Sequence, residues 1–245
     1  MTPVSHRLSA FVALTPDDVG PLEGALRRRR VIAGGADLVG EGYPTQGVNA
    51  VLSGWGVRYK TLEDGRRQIV GFVLPGDVCD AHMFLLDRMD HSIGALTDLT
   101  VAEMSRDDFT RLLADRPRLA QAISVQDLVT AATAREWIAN VGRRSASERI
   151  AHLILELHLR LQEVGLASPD GVDWPLTQYD LADATGMTAI HVNRTLGVLR
   201  KSGLVAFTSR RMRILDMNAL QGLAMFDPGY LYLPAAPGPP SCDQA

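Results

Sequence analysis

Cysteine is nearly missing from this 245-residue chain: there are two, Cys79 and Cys242, too few for a disulfide scaffold. No uninterrupted apolar run reaches 18 residues, the length a membrane-spanning helix requires. The first 14 residues hold Ser5, His6, Arg7 and Ser9 instead of a basic stub followed by a greasy core, so no secretory signal is expected and a reducing cytoplasm is the default location. Aromatic residues are scarce at 6%, and the net charge is only −3, so global charge does not identify a partner. With 46% hydrophobic and 22% charged residues the composition is that of a globular protein and excludes extensive disorder. No Gly-x-Ser-x-Gly, His-Glu-x-x-His or Walker phosphate loop occurs, which leaves the common hydrolase, zinc-protease and nucleotidase chemistries without a motif.

What is present is unevenly distributed. Ten glycines fall between Gly34 and Gly76 and none between Ala95 and Val141. The glycine-rich region contains short apolar runs at Val31–Ile32, Leu38–Val39, Val48–Leu52, Trp55–Tyr59 and Gln68–Leu74, separated by turn residues. Ile93–Leu96 and Thr100–Met104 add two more. Short strands at this spacing indicate an antiparallel roll or sandwich, and Asp64-Gly65 is its clearest hairpin signal. The glycine-free region reads as helix. One helix opens at Ser105, and a second opens at Pro117, where the missing N–H is harmless, and runs to Val141 with Gly142 as its expected C-cap. This second helix is rich in alanine, but Leu119, Ile123, Val129 and Ile138 do not share one coiled-coil seam. It is either a dimerisation helix or a helix buried inside one large domain. Ser145-Ala-Ser-Glu148 is a capping box that opens a helix with Ile150, Leu153, Ile154, Leu157 and Leu161 on one face, stopped by Gly165.

Residues 177–202 read TQYDLADATGMTAIHVNRTLGVLRKS. Thr177 with Asp180 caps a short helix whose Leu181 and Ala182 face inward. Gly186 makes the turn, and Thr188 caps a second helix carrying Ile190, Val192, Leu196 and Leu199. Two short helices about a glycine turn form a helix-turn-helix, and Leu204–Phe207 with Met212–Leu215 supply a wing. Between Gly186 and Ile214 there are six basic residues, Arg194, Arg200, Lys201, Arg210, Arg211 and Arg213, and no acidic one. A local patch of this kind is the electrostatic signature of phosphate binding. The candidate DNA contacts are Thr177, Gln178, Thr188, Ala189, His191, Asn193, Arg194, Arg200, Arg210 and Arg211, with Ala189, His191, Asn193 and Arg194 near the helix start, where base edges are touched.

Over residues ~10 to ~220 the chain resembles the Crp/Fnr superfamily of bacterial transcription regulators. The resemblance is carried by the glycine-rich roll, Pro75-Gly76-Asp77, the long helix, the capped break and LTQYDLADATGMTAIHVNRTLGVLRKSGLV. It implies an α+β chain. Residues 1–116 would form a cyclic-nucleotide-binding-like antiparallel β-roll with flanking helices, and 117–143 a dimerisation helix and hinge. Residues 144–225 would form a winged helix-turn-helix domain, followed by a tail at 226–245 that includes PAAPGPP at 234–240. It further implies a homodimer on a two-fold symmetric operator in double-stranded DNA, with RNA polymerase as a further partner and no membrane.

The chain departs from the family at several positions. Where the family's recognition helix carries a Glu, this chain has Ile190, which either packs inside the domain or meets a thymine methyl; Arg194 is retained and is expected to read guanine. Cyclic-AMP-binding members carry a Glu for the ribose and an Arg-Ser pair for the phosphate. Here those positions hold Ala81 and His91-Ser92. The reading therefore expects an effector other than cyclic AMP and assigns no cofactor and no metal. Its candidate effector pocket is Cys79, Asp80, Ala81, His82, His91, Ser92 and Arg135. Arg135 either reaches into the roll for an anion or pairs with Asp80 or Asp87. Cys79 is either a core residue or a redox sensor, and His82 or His91 is a conceivable haem ligand. Two cysteines cannot supply the four thiolates of an iron–sulfur cluster within the chain. Two other classes stand beside this reading: a ligand-binding regulatory module that does not touch DNA, and a cupin-like metal enzyme. The cupin-like enzyme would need about three His and a carboxylate on facing strands, whereas the roll holds His82 and His91.

Overall fold

The computed structural model describes residues 1–45, 47–79 and 81–233. It opens with two helices that the sequence reading did not place individually, α1 (Pro3–Phe11) and α2 (Pro16–Ala25). Both start at Thr-Pro. Thr2 Oγ1 accepts the Ser5 N–H at 3.3 Å, and Asp18 Oδ2 accepts the Thr15 N–H at 2.9 Å, so each helix has a side-chain cap and a proline in its first turn. Val4, Leu8, Leu22 and Leu26 anchor the pair in a buried cluster with Val48, Ala50, Ala102 and Phe109.

The roll follows: β1 (Arg29–Ile32), β2 (Asp37–Val39), β3 (Gly47–Ser53), β4 (Gly56–Thr61), β5 (Arg67–Val73), β6 (Val78–Cys79), β7 (Ser92–Ala95) and β8 (Leu99–Ser105). The strands form two antiparallel four-stranded sheets, ordered β1-β8-β3-β6 and β2-β7-β4-β5. Ile32, Val51, Val73, Ile93, Leu99 and Val101 fill the space between them. The β4–β5 hairpin turns where Asp64-Gly65 predicts it. Gly65 has φ +84°, a left-handed conformation that costs other residues more, and the Leu62 N–H donates to the Arg66 carbonyl at 2.8 Å.

Next come α3 (Arg106–Asp115), capped by Ser105, and α4 (Pro117–Arg143). At 27 residues, α4 is about 40 Å long. Gly142 does not cap it. The helix passes through Gly142 to Arg143 and ends at Arg144, which is extended (φ −76°, ψ 146°). Ser145 must itself be extended to cap the next helix, so no left-handed glycine fits in a two-residue break. Leu119, Ile123 and Trp137 are buried against the rest of the chain whereas Leu128 and Ile138 are exposed. The apolar residues of α4 therefore serve two opposite faces, which is why they do not form one seam.

The C-terminal part comprises α5 (Ala146–Glu163), β9 (Ala167–Ser168), β10 (Gly171–Asp173), α6 (Gln178–Thr185), α7 (Ala189–Lys201), β11 (Val205–Thr208), β12 (Arg211–Ile214), α8 (Met217–Ala224) and a 3₁₀ turn at Pro228–Leu231. The wing is larger than the two strands read from sequence: its sheet runs β11-β12-β10-β9. Residues 234–245, including PAAPGPP and Cys242, and the candidate Asp80 lie outside the described residues.

One buried cluster joins the roll to the C-terminal part. Trp55 meets Trp174 edge-on at 6.0 Å and Phe72 meets Trp137 at 5.8 Å, contacts worth about 0.5–1.5 kcal/mol each beyond burial. Beside it runs a closed ion network. Asp77, at the end of the Pro-Gly-Asp turn, accepts from Arg7 of α1 at 2.9 Å and from Arg160 of α5 at 2.8 Å. Arg7 also donates to the Arg160 carbonyl at 2.7 Å. Glu156, fully buried, accepts from Trp137 Nε1 and from the Tyr230 hydroxyl, each at 2.9 Å. Burial drives the Glu156 carboxyl above its ordinary value, against the pull of Arg160.

Candidate nucleic-acid interface and roll cavity

The helix-turn-helix is fixed from both ends. Thr177 and Asp180 form the expected capping box: the Thr177 hydroxyl accepts the Asp180 N–H at 3.1 Å and Asp180 Oδ2 accepts the Thr177 N–H at 2.9 Å. Arg67 of β5 crosses from the roll to Asp180 at 3.1 Å and to Asp183 at 2.8 Å, tying α6 to the β4–β5 hairpin. Gly186 adopts φ +66° in the turn, and Thr188 Oγ1 accepts the His191 N–H at 3.2 Å.

Helix α7 buries Val192, Thr195, Leu196 and Leu199. Ile190 is not among them. It is 85% exposed, which corrects its sequence placement beside Val192, Leu196 and Leu199. At 100° per residue, positions 190 and 192 lie some 200° apart and cannot share a face.

The exposed side of α7 carries Asn193, Arg194, Arg200 and Lys201, with Ala189 and His191 half-buried at its edge. Thr177, Gln178 and Thr188 are exposed at the starts of the two helices, and Arg210 and Arg211 on the wing. Gln178, Asn193 and Arg200 come together around a shallow cleft of about 180 Å³ backed by Trp174, Leu181 and Phe207. Arg211 turns partly inward: its Nη2 donates to the Gly171 carbonyl at 3.3 Å, and its Nη1 lies 3.8 Å from Asp173. Arg194, Arg200, Lys201, Arg210 and Arg213 have no acidic partner among the described residues. The candidates did not include Ile190, Lys201, Arg213 and Tyr179, which are among the exposed residues of these surfaces. Helical periodicity would have placed the first two.

The roll holds a larger cavity of about 710 Å³, bordered by Arg28, Arg30, Asn49, Cys79, Met83 and Glu103 among others. Of the described effector-pocket candidates, only Cys79 borders it. Its side chain is buried. Ala81 is fully buried in the cluster under α1 and α4. His82 Nδ1 lies 2.6 Å from Asp127 of α4 and His91 Nδ1 lies 2.7 Å from Asp90. Ser92 Oγ accepts the Glu41 N–H at 2.9 Å. Arg135 is exposed on α4, outside the cavity, and makes no ion pair with Asp87. It points away because α4 packs its Gln126 and Trp137 side inward.

These positions do not fit a cyclic nucleotide. Ala81 has no side-chain group to accept a ribose hydrogen bond, and an imidazole held by Asp90 cannot replace a bidentate guanidinium on a phosphate. Among the described residues no group of three or more His, Cys, Asp or Glu side chains is placed to hold a metal ion, and no helix is long and apolar enough to cross a membrane.

Comparison with known proteins agrees with this architecture. Residues 29–116 match the cyclic nucleotide-binding domain family and residues 148–223 the Crp-like helix-turn-helix domain family. The chain is 35% identical over 199 residues to the nitrogen fixation regulation protein FixK of Bradyrhizobium diazoefficiens, covering 81% of this chain and 83% of the relative. It is 28% identical to the transcriptional activator protein FnrL of Cereibacter sphaeroides, covering 85% and 84%. The solved structure of FixK2 from Bradyrhizobium japonicum superposes with a TM-score of 0.72 at 26% identity, covering 80% of this chain and 96% of that one. The chain belongs to the Crp/Fnr family of DNA-binding transcription regulators.

Proposed function

We propose that this regulator works as a homodimer on a two-fold symmetric operator, with the N-terminal part of each α7 in a major groove and the wing on the adjacent backbone. The observation that carries this reading is the set of cations on α7 and the wing, Arg194, Arg200, Lys201, Arg210 and Arg213, that have no acidic partner among the described residues. Arg194 reads guanine through O6 and N7. Ala189, His191 and Asn193 face neighbouring base edges, while Thr177, Gln178, Thr188, Arg200, Arg210 and Arg211 hold phosphates. Residues 1–116, 117–143 and 144–225 act as sensor, dimer helix and DNA-binding part, with 226–245 as a tail.

The dimer surface is the outer face of α4. Gln121, Ser124, Leu128, Ala131, Arg135, Ile138 and Gly142 are all exposed. They follow one another at alternating intervals of three and four residues, the spacing of a two-stranded coiled-coil seam. A signal in the roll would act through the break at 140–145 and change the spacing of the two α7 helices, a coupling of about 1–3 kcal/mol. Any small-molecule effector of the roll is one other than cyclic AMP. RNA polymerase is the further partner, the work is done by binding and not by catalysis, and it takes place in the cytoplasm.

The test is titration of the full chain onto a duplex pool at several salt concentrations, with sedimentation analysis alongside. The expected result is a dimer that enriches a palindrome and whose log affinity falls linearly with log salt. A chain that stays monomeric, or that ignores every duplex in dilute salt, overturns the reading.

A further inference from the structure

Folding leaves two large apolar residues of α7 exposed, Val198 at 49% and, far more so, Ile190. Ile190 stands in the first turn of the helix and is 85% exposed. It lies opposite the buried Val192, Leu196 and Leu199 and in line with Arg194, Gly197 and Lys201. It is thus a bulky aliphatic side chain at the middle of the face that carries the free cations. Gly197, the next position along that line after Arg194, adds no side chain, and a Cβ built there meets nothing within 4 Å. The face around Ile190 and Arg194 is therefore open to close approach.

A major groove offers one strongly apolar group, the C5-methyl of thymine. We propose that Ile190 reads a thymine methyl, so that each operator half-site carries a T·A pair one or two steps from the G·C pair read by Arg194. The spacing follows from the helix. Four residues advance about 6 Å, against about 3.4 Å per base step. A carboxylate at this position would accept from cytosine N4. Ile190 can neither accept nor donate, so C·G placed there offers it no methyl to meet and is disfavoured against T·A. The inference rests on the operator reading above and adds the identity of one base pair to it.

The experiment uses the full chain and an operator enriched from a random duplex pool. Each thymine is replaced in turn by uracil, symmetrically in both half-sites, which removes the methyl and nothing else. One position is expected to weaken wild-type binding by about tenfold, on the scale of one buried methyl per half-site. Ile190→Ala should bind the thymine and uracil operators equally. Ile190→Glu should shift preference at that position toward C·G. Uracil tolerated at every position by the wild type, or a uracil penalty that persists in Ile190→Ala, overturns the proposal while leaving operator binding intact. A pool in which nothing is enriched overturns the operator reading itself, and the thymine assignment with it.

Discussion

In the roll, several polar groups near the strand ends meet other groups of the same chain. Lys60 reaches Glu41 and the Asp90 carbonyl, the Tyr59 hydroxyl donates to Asp37 at 2.8 Å, and Arg28 and Arg30 sit on Glu103. On the α7 and wing surface, Arg194, Arg200, Lys201, Arg210 and Arg213 have no such carboxylate among the described residues. Charges neutralised internally shape the protein and lose by being disturbed. Charges left open repel one another until an outside anion arrives. The two regions meet at Asp77, where Arg7, the roll and Arg160 close a circuit. If this contrast is real, substitutions in closed circuits should act on stability, and substitutions on the open face should act on DNA affinity alone.

The largest effect is expected at the joint. Asp77→Ala removes the carboxylate that the buried Arg7 and Arg160 share and leaves them only Glu163 at 3.1 Å and Glu156 at 3.5 Å respectively, a change worth about 3 kcal/mol. Urea unfolding should report it, and a loss below about 1 kcal/mol would break the contrast. Burial pushes the Asp77 carboxyl up, but Arg160, Arg7 and the Leu74 N–H outweigh it, and the group sits below its ordinary 3.8. A depressed carboxyl stabilises the fold fully above its unfolded value, and that contribution disappears as pH falls through the folded one. Asp77 should therefore matter to acid unfolding only below about pH 4.

His152 should act earlier on the acid side. It is buried on α5, stacked on Tyr230 at 5.9 Å and edge-on to Phe226 at 4.9 Å. Burial, reinforced by Arg144 and opposed by Glu136, brings its imidazole down to about 4 from 6.5. The unfolded chain takes up a proton below pH 6.5 that the folded chain refuses, so stability drains between pH 6.5 and 4. About 2 kcal/mol should be lost between pH 7 and 5. His152→Phe should flatten unfolding free energy over that window. An unchanged slope in the variant would mean that the loss comes from another group.

On the open face, Arg194→Ala should leave unfolding unchanged and weaken operator binding by about 1–3 kcal/mol per half-site, with little effect on random duplex. Competition titration against both duplexes separates the two. An equal loss on both would make Arg194 a phosphate contact. Loss of stability would make it part of a closed circuit.

The divide between what could and could not be read from the sequence follows the reach of each signal. The hairpin at Asp64-Gly65, the capping boxes at Thr177 and Ser145 and the acid-free basic run are local patterns, and each sits where the chain order puts it. Helices α1 and α2 also carried a local signal, Thr-Pro, but it lay in polar sequence and passed unread. The cavity was not legible, because Arg28 and Glu103 are far apart in the chain and meet only through β1–β8 pairing. The outer face of α4 was hidden by its inner one: Leu119 and Ile123 are apolar for the core, while Leu128 and Ile138 are apolar and exposed, and sequence alone mixes the two.

That outer face supplies a smaller effect of opposite sign. In the proposed dimer, Arg135 falls at a position where two seam residues meet across the two-fold axis, between Ala131 and Ile138. A single charged residue there sets register and strand number at a cost in affinity. Arg135→Leu should tighten the dimer by about tenfold, roughly 1.4 kcal/mol, measured by sedimentation equilibrium. An unchanged or weaker dimer would place Arg135 outside the seam.

The smallest effect is expected from cyclic AMP, and it tests the closed side of the contrast directly. A cyclic phosphate needs donors that are free to turn toward it. In the roll, His91 is engaged by Asp90 and Lys60 by Glu41, and Ala81 is fully buried and has no side-chain group to offer the ribose. Binding would require breaking these internal contacts before making new ones, so their free energy is subtracted from the ligand's affinity. Millimolar cyclic AMP should leave the melting temperature within about one degree of the ligand-free value, since a ligand far below its dissociation constant adds almost nothing to stability. A shift of several degrees would show that these pairs open readily, and the roll would then share the receptive character of the DNA-binding face.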